Sequence, residues 1–151
     1  MSLIDKTLLP DEQIFYRTKK HFIIFFAPLI WIIAAIFFLL NPNPWIVKAA
    51  IAPGAVALLT AMNKWLDYIT SEYVVTNKRI LMKEGFFFRH SNELRLATIS
   101  NMTVDQSLLG QWLDYGMVII NPFGGNNDVF PYIAHPLEFQ KQAQAQLDKI
   151  R

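Results

Sequence analysis

An α+β membrane protein is the fold class this sequence predicts: an N-terminal helical hairpin in lipid, then an antiparallel β-barrel or sandwich closed by a C-terminal helix. Three observations carry it. Residues 22–40 contain no charged side chain. A second apolar run follows after only four turn-forming residues. From residue 69 onward the pattern changes to short β-like runs and ends in one amphipathic helix. The 151-residue chain is 53% hydrophobic and 17% charged, against about 25% charged in water-soluble domains. Residues 64–151 alone look ordinary, so the deficit belongs to the front of the chain.

The same composition excludes several classes. The apolar and aromatic content is too high for a disordered chain. Zero cysteines exclude a disulfide-stapled module, thiol catalysis and cysteine-ligated zinc. A net charge of +2 is too small for a nucleic-acid binder.

Residues 1–21 are read as a cytoplasmic lead-in. The first span then reads FIIFFAPLIWIIAAIFFLL from Phe22 to Leu40. As a helix it is about 28 Å long, matching a hydrocarbon core of about 30 Å. A buried core helix is the competing reading, but a chain this short has no core able to wrap such a helix on every side. Pro28 is tolerated inside a span. A cleaved signal peptide fits poorly, because Asp5, Asp11 and Glu12 precede the run and no small-x-small site follows Leu40.

Asn41-Pro42-Asn43-Pro44 makes a tight turn, and Pro44 suits the first position of a new helix. The second arm runs over 45–62, within a membrane hairpin spanning 22–63. Trp45 is an interface aromatic, and Lys48 can lead its ammonium out to the headgroups. Ala50, Gly54, Ala57 and Ala61 recur at helical spacing and form a small-residue stripe. The expectation is packing against the first arm; a homodimer seam is the alternative. Arg17, Lys19, Lys20 and Lys64 flank the outer ends, with only Lys48 near the connector. This bias places both termini in the cytoplasm. His21 adds to that side when protonated.

The globular domain is expected over 69–151. Residues 72–76 are β-branched and aromatic, with a turn at Asn77-Lys78. Residues 79–83 form the next strand, Glu84-Gly85 turns, and Phe86 to Arg89 opens a third. Glu93 to Leu96 alternates, and Met102 and Val104 continue with period two. Residues 107–113 form a short helix or turn. Residues 115–121 are the most apolar strand, and 122–127 a glycine-containing loop. Residues 128–133 form the last strand, which Pro131 places at an edge or bulge. Pro136 starts a helix whose apolar face is Phe139, Ala143, Leu147 and Ile150.

These residues resemble a family. Two spans are followed by Tyr73-Val-Val-Thr-Asn-Lys-Arg-Ile80, Gly85, Glu93-Leu-Arg-Leu-Ala-Thr-Ile99, Val104-Asp-Gln-Ser-Leu-Leu-Gly110, Asp114-Tyr-Gly116 and His135-Pro136. That order is similar to the bacterial membrane-anchored pleckstrin-homology-like (PH-like) proteins, formerly catalogued as a domain of unknown function. Leu9-Pro10-Asp11-Glu12 resembles that family's lead-in. The resemblance implies a PH-like β-barrel with a C-terminal helix at the inner face of a bacterial membrane. It implies no enzymatic activity and no cofactor.

The chemistry-bearing residues are sparse. His21, His90 and His135 are scattered and lack metal-ligand spacing. No G-x-S-x-G elbow occurs, and Gly124-Gly125 lacks the ending of a phosphate loop. Asn101-Met102-Thr103 matches a glycosylation pattern by chance. Lys78, Arg79, Lys83, Arg89 and Arg95 form a basic set around the first hairpins. A solvated polar face explains them; attraction to anionic headgroups is the sharper alternative. Phe86 and Phe88 are expected in the core, with a membrane wedge at Phe86–Phe88 as the alternative. The expected function is a membrane-anchored binding or scaffold module for a membrane-protein partner or for its own copies. The second reading is an anionic-lipid headgroup or envelope-stress sensor.

Overall fold

A computed structural model describes residues 4, 7–84 and 90–150, with the side chains of His90 and Ser91 left aside. The chain divides into two compact units, one of residues 22–69 and one joining 1–21 to 70–151.

The helical unit opens with a 3-10 turn at Phe22–Phe25 that runs into α1 (Phe26–Leu39). Asn43 then caps α2 (Pro44–Ala49), its side-chain oxygen accepting from the Trp45 N–H at 3.0 Å, with Pro44 in the first helical position. This is the local logic expected of Asn-Pro: the cap satisfies an orphan donor and proline lacks one. α3 covers Ile51–Thr70. The break at Ala50 lies just before Pro53, which lacks an N–H and crowds the preceding turn. The stretches Phe22–Leu39 and Pro44–Thr70 are long and apolar enough to cross a membrane, and only 11% and 17% of their most apolar windows is buried. The second helix runs two turns beyond the expected end at residue 62, because nothing breaks it before Ser71. Lys64, Trp65 and Asp67 therefore belong to the helix.

Among the described residues the globular unit holds seven strands: β1 (Ile14–Thr18), β2 (Glu72–Thr76), β3 (Arg79–Glu84), β4 (His90–Arg95), β5 (Ile99–Asp105), β6 (Tyr115–Pro122) and β7 (Asp128–Ala134). They form two antiparallel sheets, β1-β2-β3-β4 and β5-β6-β7. A short helix, α4 (Leu108–Leu113), joins β5 to β6, and α5 (Pro136–Ile150) closes the unit.

Two expectations need correction. The first is the lead-in. Residues 14–18 are a strand paired with β2, Arg17 opposite Val74 and Thr18 opposite Tyr73, so the globular unit begins before the apolar helices. The second is the closed barrel. A 3-10 turn at Leu96–Thr98 carries the chain from one sheet to the other. At one corner Lys20 bridges to Ile133, and the His21 N–H donates to the Tyr132 carbonyl at 2.7 Å. Between β4 and β7 the link is a side-chain one, Asn92 donating to Asp128 at 3.3 Å. The result is two packed sheets with stitched corners.

β2 is apolar on both faces because both are covered. Tyr73 and Val75 enter the main core with Ile80, Met82, Val118, Ile120, Phe130 and Ile133. Val74 and Leu81 point the other way, under Ile4 and Leu8. α5 lays Phe139, Ala143 and Leu147 onto the main core. Ile150, expected on that face, is exposed at the end of the helix. Pro131 sits on an edge strand and in a bulge: Gly116 pairs with Ile133 but Val118 with Phe130, and Tyr132 takes φ 60°. Phe86, Phe87, Phe88 and Arg89 lie outside the described residues.

Candidate binding site

Arg79, central to the expected basic face, is a structural cation. Its guanidinium meets both Glu12 oxygens at 2.9 and 3.0 Å, a bidentate pair, and also reaches Glu93 and the Thr7 carbonyl. The Glu12 carboxylate is fully covered and also accepts from the Leu9 N–H at 2.8 Å and the Thr76 hydroxyl at 2.7 Å. Burial pushes the Glu12 carboxyl up, but the bonds from Arg79, Leu9 and Thr76 and the Arg79 charge outweigh it and hold the pKa at about 2. Around this pair the segment 9–13 wraps the hairpin turn, with Asn77 and Gln13 exchanging bonds at 3.2 Å and Lys78 reaching the Pro10 carbonyl. Lys83 is half-buried, and Lys78 and Arg95 are exposed. Arg89 lies outside the described residues.

An opening in the globular unit lies elsewhere. A cleft of about 470 Å³ is lined by Asp105, Gln106, Ser107, Tyr115, Gly116, Met117, Pro131 and Tyr132. Three local devices build it. Gly116 lets β6 pass close to its neighbours, since a Cβ there would lie 2.7 Å from the Gln106 side chain and 2.8 Å from the Asp105 carbonyl. Ser107 caps α4 by accepting from the Gly110 N–H at 3.1 Å. Asp114 ends α4 with φ 57°, and its side chain contacts the His135 ring at the start of α5. Gln106 bonds the Tyr115 carbonyl at 3.2 Å and so holds the rim.

The chemistry of the cleft is aromatic, apolar and acceptor-rich. Tyr115 and Tyr132 lie 6.5 Å apart, and His21 stacks on Tyr115 at 5.2 Å. Burial against this wall, with nearby His135, pushes the His21 pKa below its usual value despite opposing help from Asp114 and the Leu113 backbone. The lowered pKa disfavours the protonated form in which His21 is expected to add positive charge to this flank. No Lys or Arg lines the cleft, so it suits a peptide better than a phosphate.

A family model described as "Bacterial PH domain" matches residues 22–147. The chain belongs to the bacterial PH domain family. Among solved structures, this bacterial PH domain protein is similar to a DUF1696 family protein with a pleckstrin-homology domain from Shewanella loihica PV-4, at 17% identity and a TM-score of 0.42. That match covers 53% of this chain and 73% of the other. No curated protein matches it.

The motif Val104–Gly110 of this bacterial PH domain thus supplies the cleft rim and the α4 cap. Sequence reasoning missed Gln106, Tyr115 and Tyr132 as lining residues. The available signal was proline inside a strand, since the bulge at Pro131 turns Tyr132 toward the opening. On the small-residue stripe, Ala50 and Ala57 are buried and Gly54 and Ala61 half-buried. A Cβ at Gly54 would meet nothing within 4 Å.

Proposed function

We propose that this bacterial PH domain protein is a membrane-anchored, non-enzymatic binding module at the cytoplasmic face of the inner membrane. The observation that carries the reading is the exposure of the two long apolar helices. Leaving Phe26, Ile30, Ile33, Phe37, Leu58 and Leu59 open to water would cost roughly 1.5–3 kcal/mol per side chain relative to burial; lipid removes that cost. The aromatics agree. Trp45 and Trp65 lie about 30 Å apart along the helical path, the thickness of a hydrocarbon core. Phe25 packs on Trp65 and Tyr68 at 6.2 and 5.6 Å, an interface cluster at one end. Arg17 pairs with Glu72 and Lys20 with Glu84 in the folded domain. The positive-inside bias acts during insertion and counts Lys and Arg rather than net charge, so the expected orientation stands as part of the proposal.

The ligand in this reading is a protein segment, from a membrane-protein partner or from another copy, held in the cleft beside β7. The edge of β5 is a poorer docking strand, because the Gln140 amide already occupies the Met102 carbonyl at 2.7 Å. The anionic-headgroup reading is weakened by Arg79, whose charge is spent on Glu12 and Glu93.

Two measurements test this. The full chain should stay in the membrane pellet after alkaline carbonate extraction, and a reporter fused after residue 151 should be active only in the cytoplasm. A soluble chain, or an active reporter outside, overturns the anchor or the sidedness. Photocrosslinkers at Met117 and Tyr132 should then capture a protein band in native membranes that one at Gln144 does not. Equal labelling at all three positions would remove the cleft from the proposal.

A further inference from the structure

α4 is a helix with its polarity reversed. Its small residue faces inward: Gly110 is buried, and a Cβ there would lie 2.6 Å from the Tyr115 carbonyl. Its large apolar residues face outward, Leu108 at 83%, Leu109 at 65% and Trp112 at 91% exposure. No charged residue occurs between Asp105 and Asp114. A water-facing helix would carry the opposite arrangement.

Its position in the fold selects an occupant. His21 is the last residue before the first apolar run, which begins at Phe22. Its ring stacks at 5.2 Å on Tyr115, two residues beyond the end of α4. Its N–H is held by the Tyr132 carbonyl at 2.7 Å. The exposed apolar turn is therefore fixed to the point where the chain leaves the globular unit. We propose that α4 docks into lipid, with Leu108, Leu109 and Trp112 entering the interfacial layer of the bilayer that holds the apolar helices. This rests on the membrane-anchored reading above. Tryptophan is suited to that layer, and leucines beside it add apolar area without needing anionic lipid.

The chain has no cysteine, so single-site nitroxide labels are clean. Leu29→Cys, Trp112→Cys and Gln144→Cys would each be labelled in the full chain, in vesicles of phosphatidylethanolamine and phosphatidylglycerol. Collisions with oxygen and with a water-soluble nickel chelate would then be measured. The label at 112 should give an oxygen-to-nickel ratio several-fold above that at 144 and below that at 29. A ratio at 112 equal to that at 144, with 29 reading hydrocarbon, overturns lipid docking and leaves the anchor standing. A watery reading at 29 overturns the anchor itself. Shielding of 112 from both reagents means that protein covers α4, and also overturns the proposal. A second readout keeps Trp112 in place: the W31F/W45F/W65F chain has it as sole tryptophan. Brominated lipids should quench its emission, and unquenched emission at a water-exposed wavelength overturns the proposal.

Discussion

Glu12→Ala should destabilise the globular unit by about 3–5 kcal/mol, the usual loss when one partner of a buried ion pair is removed. The substitution takes both carboxylate oxygens from Arg79 and strips acceptors from the Leu9 N–H and the Thr76 hydroxyl. Glu93 stays near the guanidinium at the exposed side, which keeps the loss toward the lower end. The segment 9–13 would also lose its clasp on the Asn77 turn, weakening the pairing of β1 with β2. Chemical denaturation of the full chain in detergent, followed by near-ultraviolet circular dichroism, measures this. A change under 1 kcal/mol would refute the central role given to the pair.

The same carboxylate sets a pH dependence. Its folded pKa, about 2, lies below the model-compound value of 4.5. A depressed carboxylate pKa stabilises the fold above its unfolded value, and that contribution is lost as pH falls through the folded one. Glu12 thus supplies up to about 3 kcal/mol at neutral pH, fading from about pH 4.5 toward pH 2. Glu12→Gln should flatten the acid limb of the stability curve in that window. An unchanged limb would place the acid sensitivity in other groups.

Phe139→Ala is the other large effect, about 3–5 kcal/mol. The Phe139 ring is fully buried and meets Tyr16 edge-on at 6.3 Å. Alanine leaves a cavity that neither sheet can fill, since Val118, Ile120 and Ile133 are fixed in their ladders. Protease sensitivity of α5 should rise together with the loss of global stability. If Phe139→Leu were as damaging as Phe139→Ala, volume would not be the cause.

Much of the fold was legible wherever the signal is local. β2 and β3 read clearly because β-branched runs flank an Asn-Lys turn, and α5 because Phe139, Ala143 and Leu147 keep one period. Pro131 marked its strand as an edge, for want of an N–H. What stayed hidden depends on distant partners. β1 is five residues beside a strong apolar run, and only its pairing with Val74 and Tyr73 makes it a strand. The basic set looked like a face because no local pattern shows that Arg79 answers to Glu12, 67 positions away. The cleft draws on β5, β6 and β7, so no single motif contains it. The reversed α4 was written plainly as Ser-Leu-Leu-Gly-Gln-Trp-Leu; only its Gly110 packing reveals which side is outward.

The interrupted layout of the globular unit also sets a schedule for synthesis. β1 emerges from the ribosome first, and its partner β2 only after residues 22–69 have followed. At about 5–20 residues per second, the strand waits roughly 3–10 s with Phe15 and Tyr16 unpaired. When translation reaches β2, its pairing with β1 closes a loop over residues 22–69. The entropic cost of closing such a loop grows only slowly with its length, so the two-sheet unit tolerates the interruption of its chain.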